Sequence, residues 1–163
     1  MKKQRIAFAT ILFLSVGIFS GCGTIERLQE QSVSKPPMPA GESQFTNLPF
    51  AKAVNPAFQS EVANKWIHLT GAFVMLLNTV VDLPAEYKNG YVRFYVMDPE
   101  NPSAVSMNFL IVKANSDIVF DLKRGDIIDI WAYVVPTIGT SRATGRQFGG
   151  QLFLVDHIAK VAK

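Results

Sequence analysis

A chain of 163 residues, 48% of them hydrophobic and 18% charged, is long enough to bury one core of its own. Its single cysteine excludes an intramolecular disulfide and any zinc site built on paired thiolates. The formal charge of +3 includes Lys2, Lys3 and Arg5, and without these three the remaining 13 basic residues face 13 acidic ones, which removes the electrostatic ground for nonspecific nucleic-acid binding.

Lys2, Lys3 and Arg5 precede an apolar run from Ile6 to Phe19, and the small residues Ser20 and Gly21 stand before Cys22. Charge, apolar run and small residues in that order are the anatomy of a cleaved secretory signal. The run is shorter than the roughly 20 apolar residues that a spanning helix needs. Phe19-Ser20-Gly21-Cys22 resembles the bacterial lipobox, with Phe19 where Leu, Val or Ile is usual. The resemblance implies transfer of diacylglycerol to the Cys22 thiol, cleavage before it and an acylated mature N-terminus. Gly23 stands where lipoproteins of the inner-membrane type carry Asp, so the resemblance further implies the outer membrane, with the periplasmic face as the expected side. Residues 1–21 are therefore expected to be a lipoprotein signal peptide, 22–53 a lipidated N-terminus and tether, and 54–163 one domain.

Within the tether, Thr24 to Gln31 has the makings of one or two helical turns. Lys35-Pro36-Pro37-Met38-Pro39-Ala40-Gly41 is extended by its prolines, which fix φ and remove amide donors. Phe45, Leu48, Phe50 and Val54 are where the tether is expected to meet the domain. Asn55-Pro56 reads as a helix start, with Asn capping free amides and Pro in the first turn, and the helix should end near Asn64.

Trp66 to Leu77 predicts a strand with Ile67, Leu69, Gly71 and Phe73 on one face, and Gly71 suggests a bulge or a sharp bend. After the Asn89-Gly90 turn signal, Tyr91 to Met97 alternates with Val92, Phe94 and Val96 on the core side. Val105 to Val112 predicts a third strand, and Asn115 to Leu122 a short helix or irregular crossing. Lys123-Arg124-Gly125-Asp126 turns the chain into Ile127 to Val135, with Ile128, Ile130, Ala132 and Val134 inward and Trp131 and Tyr133 outward. A Gly-rich loop is expected from Pro136 to Gly150, then a fifth strand from Gln151 to Val161.

Five strands, a glycine within the first, a crossing between the third and fourth, and Gly125-Asp126 before an alternating run together resemble the OB-fold. Leu69-Thr70-Gly71, the Phe94 to Asp98 strand end, Gly125 to Ile130 and Val155 to Val161 carry the comparison. The expected fold class is mainly β, a five-stranded OB-like small β-barrel with a short N-terminal helix and a Pro-rich tether. Such barrels usually take ligands on the face of strands two and three and on the loops after strands one and four. The resemblance thus points to Tyr91, Arg93 and Tyr95 as a row for stacking and anion pairing, and to Arg142, Arg146 and Phe148 in the loop after strand four. Trp131 and Tyr133 suit a protein contact, since aromatic residues are enriched at interface cores.

No catalytic residue, metal site or cofactor is indicated. His68 and His157, the only histidines, each stand in a strand without a nucleophile or metal-spaced partner, and Asp156 should face away from His157 in a regular strand. The expected function is a binding or assembly module, not an enzyme: an outer-membrane-anchored periplasmic lipoprotein, an accessory subunit of an envelope protein complex, held to the membrane through lipid on Cys22. Nucleic acid is not the expected partner. The alternative is an OB-fold binder of an anionic oligomer, a glycan or a nucleic acid.

Overall fold

A computed structural model describes residues 35–77, 83–140 and 147–162, with backbone alone at 139, 140, 147 and 148. Its strands are β1 (Thr46–Asn47), β2 (Trp66–Leu77), β3 (Tyr91–Met97), β4 (Val105–Val112), β5 (Ile127–Thr140) and β6 (Gln147–Lys160). Between them, among the described residues, lie four short α-helical segments, α1 (Phe50–Val54), α2 (Gln59–Val62), α3 (Ala85–Lys88) and α4 (Asp117–Phe120); the described residues also hold three 3-10 turns. The sheet runs β2-β3-β4-β6-β5 and closes by pairing β5 back onto β2. The barrel pairings are antiparallel except β4 with β6, which the crossing through α4 makes parallel. This is the OB strand order, a five-stranded barrel that closes its own edges.

The alternation expected for β3 and β5 is present. Phe94, Val96, Ile128, Ile130, Ala132 and Val134 all lie in the core with no exposed surface. Phe109 is central there: its ring stacks on Phe153 at 4.5 Å, with Phe94 at 5.7 Å and Phe50 at 6.1 Å. Val119 and Leu122, flanking and within the crossing segment, pack onto the same core, and Phe50, Ala53 and Val62 join it from α1 and α2. The helix start at Asn55 is real, with its Oδ1 accepting from the Ala57 amide at 3.0 Å. The chain leaves α2 through Asn64 at φ 58°, a left-handed conformation that Asn tolerates, and the Asn64 amide donates to the Val134 carbonyl.

Gly71 serves closeness and not a bulge of its own. A Cβ there would stand 2.4 Å from Val96 Cγ1 and 3.1 Å from Phe50 Cε2. The register shift between β2 and β3 falls later, between Phe73 and Met75. One residue beyond the glycine, Ala72 pairs with both Ile127 and Met97, so this is where β2 changes partner.

Three other departures from expectation have local causes. The Pro136 to Gly150 region is largely strand: β5 and β6 stay paired from Pro136 with Gln151 out to Thr140 with Gln147. Pro136 is tolerated because β5 has passed the end of β2, whose last pair is Trp66 with Tyr133, and so its other edge needs no amide donor. Asp156 and His157 share the outer face instead of opposing each other. A register shift between Trp131 and Ala132 makes room for two residues between the inward Val155 and Ile158. Finally, the described part of the expected tether lies on the barrel: β1 pairs parallel with β2, Thr46 with Ile67 and Asn47 with His68. Phe50 is buried and Leu48 and Val54 pack on the core, as expected of them. The possible turns at 24–31 lie outside the described residues.

Candidate binding surfaces

On the outer face of β3 and β4, where an OB barrel usually takes ligands, the chain places its own side chains. Pro84 leads into α3, and this turn lays Leu83 and Tyr87 over a cluster of Tyr91, Leu110, Leu152 and Leu154. The Tyr87 and Tyr91 rings meet edge on at 5.8 Å, and Tyr91 is only 9% exposed. Arg93 is directed to β4, with Nε donating to the Met107 carbonyl at 2.5 Å and Nη2 to Asn108 Oδ1 at 2.9 Å. Tyr95 is half-buried at a second register shift, between Phe94 and Val96. The three residues therefore share a strand but do not form an open stacking row.

Burial pushes the Tyr87 hydroxyl above the ordinary tyrosine range, helped by the neighbouring Glu86 charge and by Tyr91. Below about pH 10 both folded and unfolded chains hold that proton; above it the unfolded chain releases its proton first, so stability falls as pH rises through the folded-state value. A pH series of urea midpoints should show this alkaline loss in the wild type and a shallower one in Tyr87→Phe.

Of the residues expected on the loop after the fourth strand, Arg142 and Arg146 lie outside the described residues. Phe148 is paired with Gly139 within the β5–β6 ribbon. Below it, Gln59 ties this ribbon to α2 by donating to the Gly150 carbonyl, and Gln151 donates to the Ala53 carbonyl of α1.

The outer face of β2, β5 and β6 carries two aromatic rows that cross the strands. In the first, Trp66 packs against Tyr133 at 5.7 Å and against Phe45, from the segment before β1, at 6.3 Å. In the second, Trp131 is stacked on His68 at 4.6 Å and 14°, with His157 tilted against it at 5.1 Å. The pairing of His68 with Trp131 and of Trp131 with His157 puts these rings side by side. Trp131 and Tyr133 thus face outward as expected, each half-covered by its neighbours. The two histidines, read separately in the sequence, meet on opposite sides of one indole.

Charge is added by Lys35, whose Nζ pairs with Asp156 Oδ1 and lies 5.4 Å from the Trp66 ring. Asp129 accepts from Thr70 Oγ1 at 2.6 Å and stands 3.7 Å from His68 Nε2. Two ring nitrogens on this face, Trp66 Nε1 and His68 Nε2, are buried without a hydrogen-bond partner among the described residues. Beside them an open cleft of about 520 Å³ is lined by Asn47 to Phe50, by His68 and Thr70, and by Asp98 to Glu100. Among the described residues, no three His, Cys, Asp or Glu side chains cluster as a metal site would need.

No protein-family model and no curated protein sequence matches the chain. Among solved structures it is similar to an aspartyl-tRNA synthetase from Entamoeba histolytica, at 13% identity over 80% of this chain and 26% of that one, with a TM-score of 0.48. It is also similar to a mitochondrial single-stranded DNA-binding protein from S. cerevisiae, at 10% identity over 59% of this chain and 91% of that one, with a TM-score of 0.41. A third likeness is to an OBody bound to hen egg-white lysozyme, at 16% identity over 81% and 99% of the two chains, with a TM-score of 0.43. The chain spans about a quarter of the synthetases it resembles. At these identities the likenesses concern the course of the backbone and not the ligand.

Proposed function

We propose that this protein is a lipid-anchored binding module of the bacterial envelope, fixed to the outer membrane through acylated Cys22 and presenting its OB barrel to a protein partner in the periplasm. The observation that carries the reading is the contrast between two faces. The β3–β4 face is filled by the chain's own Leu83 and Tyr87 above Tyr91, which leaves little of it for an oligomer to stack on. The β2–β5–β6 face instead presents half-exposed Tyr133 and Trp131 with two histidines around the buried Trp66, the kind of aromatic surface that interface cores favour. The near-equal numbers of acidic and basic residues after the signal also favour a protein over a polyanion.

Anchoring gives this face its advantage. While Lys35 is seated on the barrel, the 13 residues from Gly23 to Lys35 can carry it no farther than about 45 Å from the acylated cysteine, and confinement to that layer raises its effective concentration toward membrane-bound partners. Several acyl chains make such attachment durable where one is marginal.

Fractionation tests the anchor: the wild type should sediment with outer membranes, and Cys22→Ser should leave the membrane fraction. A protein that stays with membranes after Cys22→Ser would contradict the lipid attachment. Titration with single-stranded DNA and with anionic glycan, at low and high salt, tests the partner class. We expect no salt-sensitive binding; binding that falls when Arg142 and Arg146 become Ala would instead favour the anionic-oligomer reading.

A further inference from the structure

The segment from Lys35 to Pro49 crosses the aromatic face yet is held to it by few contacts. Its backbone pairs with β2 at only two positions, whereas β5 pairs with β2 at seven, from Trp66 to Ala72. Over the aromatic rows it adds the Lys35 pair with Asp156, the Lys35 ammonium beside the Trp66 ring and the edge of Phe45 on that ring, and at its far end Leu48 packs on the core. Trp66 is 7% exposed, and among the described residues its Nε1 has no acceptor; the neighbouring His68 Nε2 is buried without a hydrogen bond, with Asp129 Oδ1 at 3.7 Å. A buried donor left unpaired costs free energy, so the segment closes this face without satisfying it.

The edge of β2 is also incompletely filled. Opposite β5, β2 pairs with β1 at Ile67 and His68 and with β3 from Ala72 onward. Leu69, Thr70 and Gly71 therefore have no strand neighbour on that side among the described residues, and the 520 Å³ cleft opens there. Pro49 lies just past β1 and leads into α1, whose Phe50 lines the same cleft. The ionisable groups lining the cleft are His68, Asp98 and Glu100, with no lysine or arginine among them.

We propose that Lys35–Pro49 is a displaceable strap, and that the groove beneath it along β2 takes an extended, basic segment of a partner protein as an added strand. The strap itself displays part of the chemistry the groove accepts, namely an extended backbone for the β2 edge, a cation for Asp156 over the Trp66 ring, and an aromatic ring against Trp66, while its Glu42 offsets Lys35, so that a segment without that acid would suit the acidic end of the groove better. The incoming segment also finds acidic groups at Asp98 and Glu100 where the strap ends. Because the strap competes for the same slot, it lowers the apparent affinity by the fraction of time it is closed. This inference rests on the protein-partner reading above and names the partner's mode of docking.

The test uses the full-length protein in detergent and a fluorescent peptide with the strap's sequence, residues 35–49, read by anisotropy. Lys35→Glu with Phe45→Ala loosens the strap and should bind the peptide about tenfold more tightly than the wild type does. Adding Asp156→Lys should abolish that gain, and a peptide carrying Lys35→Glu should restore it. In the unaltered protein, hydrogen exchange at Thr46 and Asn47 should be about a hundredfold faster than along the β2–β5 ladder. Absence of peptide binding by the loosened variant with its thermal transition intact would overturn the proposal, as would strap amides as slow as the barrel's. A concentration-dependent dimer of the loosened variant would make a second copy the occupant and overturn the assignment to a partner. Peptide binding without any envelope crosslink in cells would uphold the groove while removing the envelope partner, so the two readings fail separately.

Discussion

Phe109→Ala should cost about 3–5 kcal/mol of folding stability, enough to leave a domain of ordinary stability partly unfolded. The ring has no exposed surface and touches the aromatic rings of three elements: Phe153 of β6, Phe94 of β3 and Phe50 of α1. Removing it leaves a cavity at the one place where β4, β6 and the helical cap converge, and rigid neighbouring rings can refill little of it. The cost should appear as a lower urea midpoint at unchanged slope; a loss below about 1 kcal/mol would mean that the barrel relaxes around the gap and that these contacts are not its centre.

Gly71→Val should be nearly as severe, for the opposite reason. Its Cβ alone would sit 2.4 Å from Val96 Cγ1 and close to the Phe50 ring, so the added atoms force β2 away from β3 or expel α1. Overpacking of this kind costs about 1–3 kcal/mol, and more when backbone must move. It falls one residue before β2 changes partner from β5 to β3, so barrel closure should suffer along with stability. Gly71→Ala should destabilise in the same direction by a smaller amount. Thermal unfolding of the two variants checks the order, and a neutral Gly71→Val would refute the close approach of Val96.

The strands were legible because their alternation is clean: Phe94 and Val96, then Ile128 to Val134, each place every second residue in the core. The OB order followed from their number and from the crossing at 115–122. A period of two carries no mark of a bulge, so the shifts at Phe94/Val96 and Trp131/Ala132 were invisible, and with them the shared face of Asp156 and His157. Glycines in 136–150 argued for a loop, but cross-strand pairing outweighed their weak strand propensity. For the candidate surfaces the limit was distance along the chain. Tyr87 stands only four residues before Tyr91, but the Leu110, Leu152 and Leu154 they pack with are far along the chain, and nothing local to His68 reveals Trp131 or His157, which only barrel closure brings to it. The one local signal that was available is Lys35 with Phe45, a cation and a ring within a proline-rich stretch that otherwise reads as linker.

The central claim is a membrane-tethered barrel that meets a protein through its β2–β5–β6 face. It is tested most directly by placing a photo-crosslinking residue at exposed position 157 of β6 in intact cells, with exposed position 75 of β2, beyond its pairing with β5, as control. The account predicts crosslinks from 157 to a single envelope protein, few from 75, and loss of both on Cys22→Ser. Crosslinks from 75 and not 157, or adducts of glycan or nucleic acid in place of protein, would contradict it.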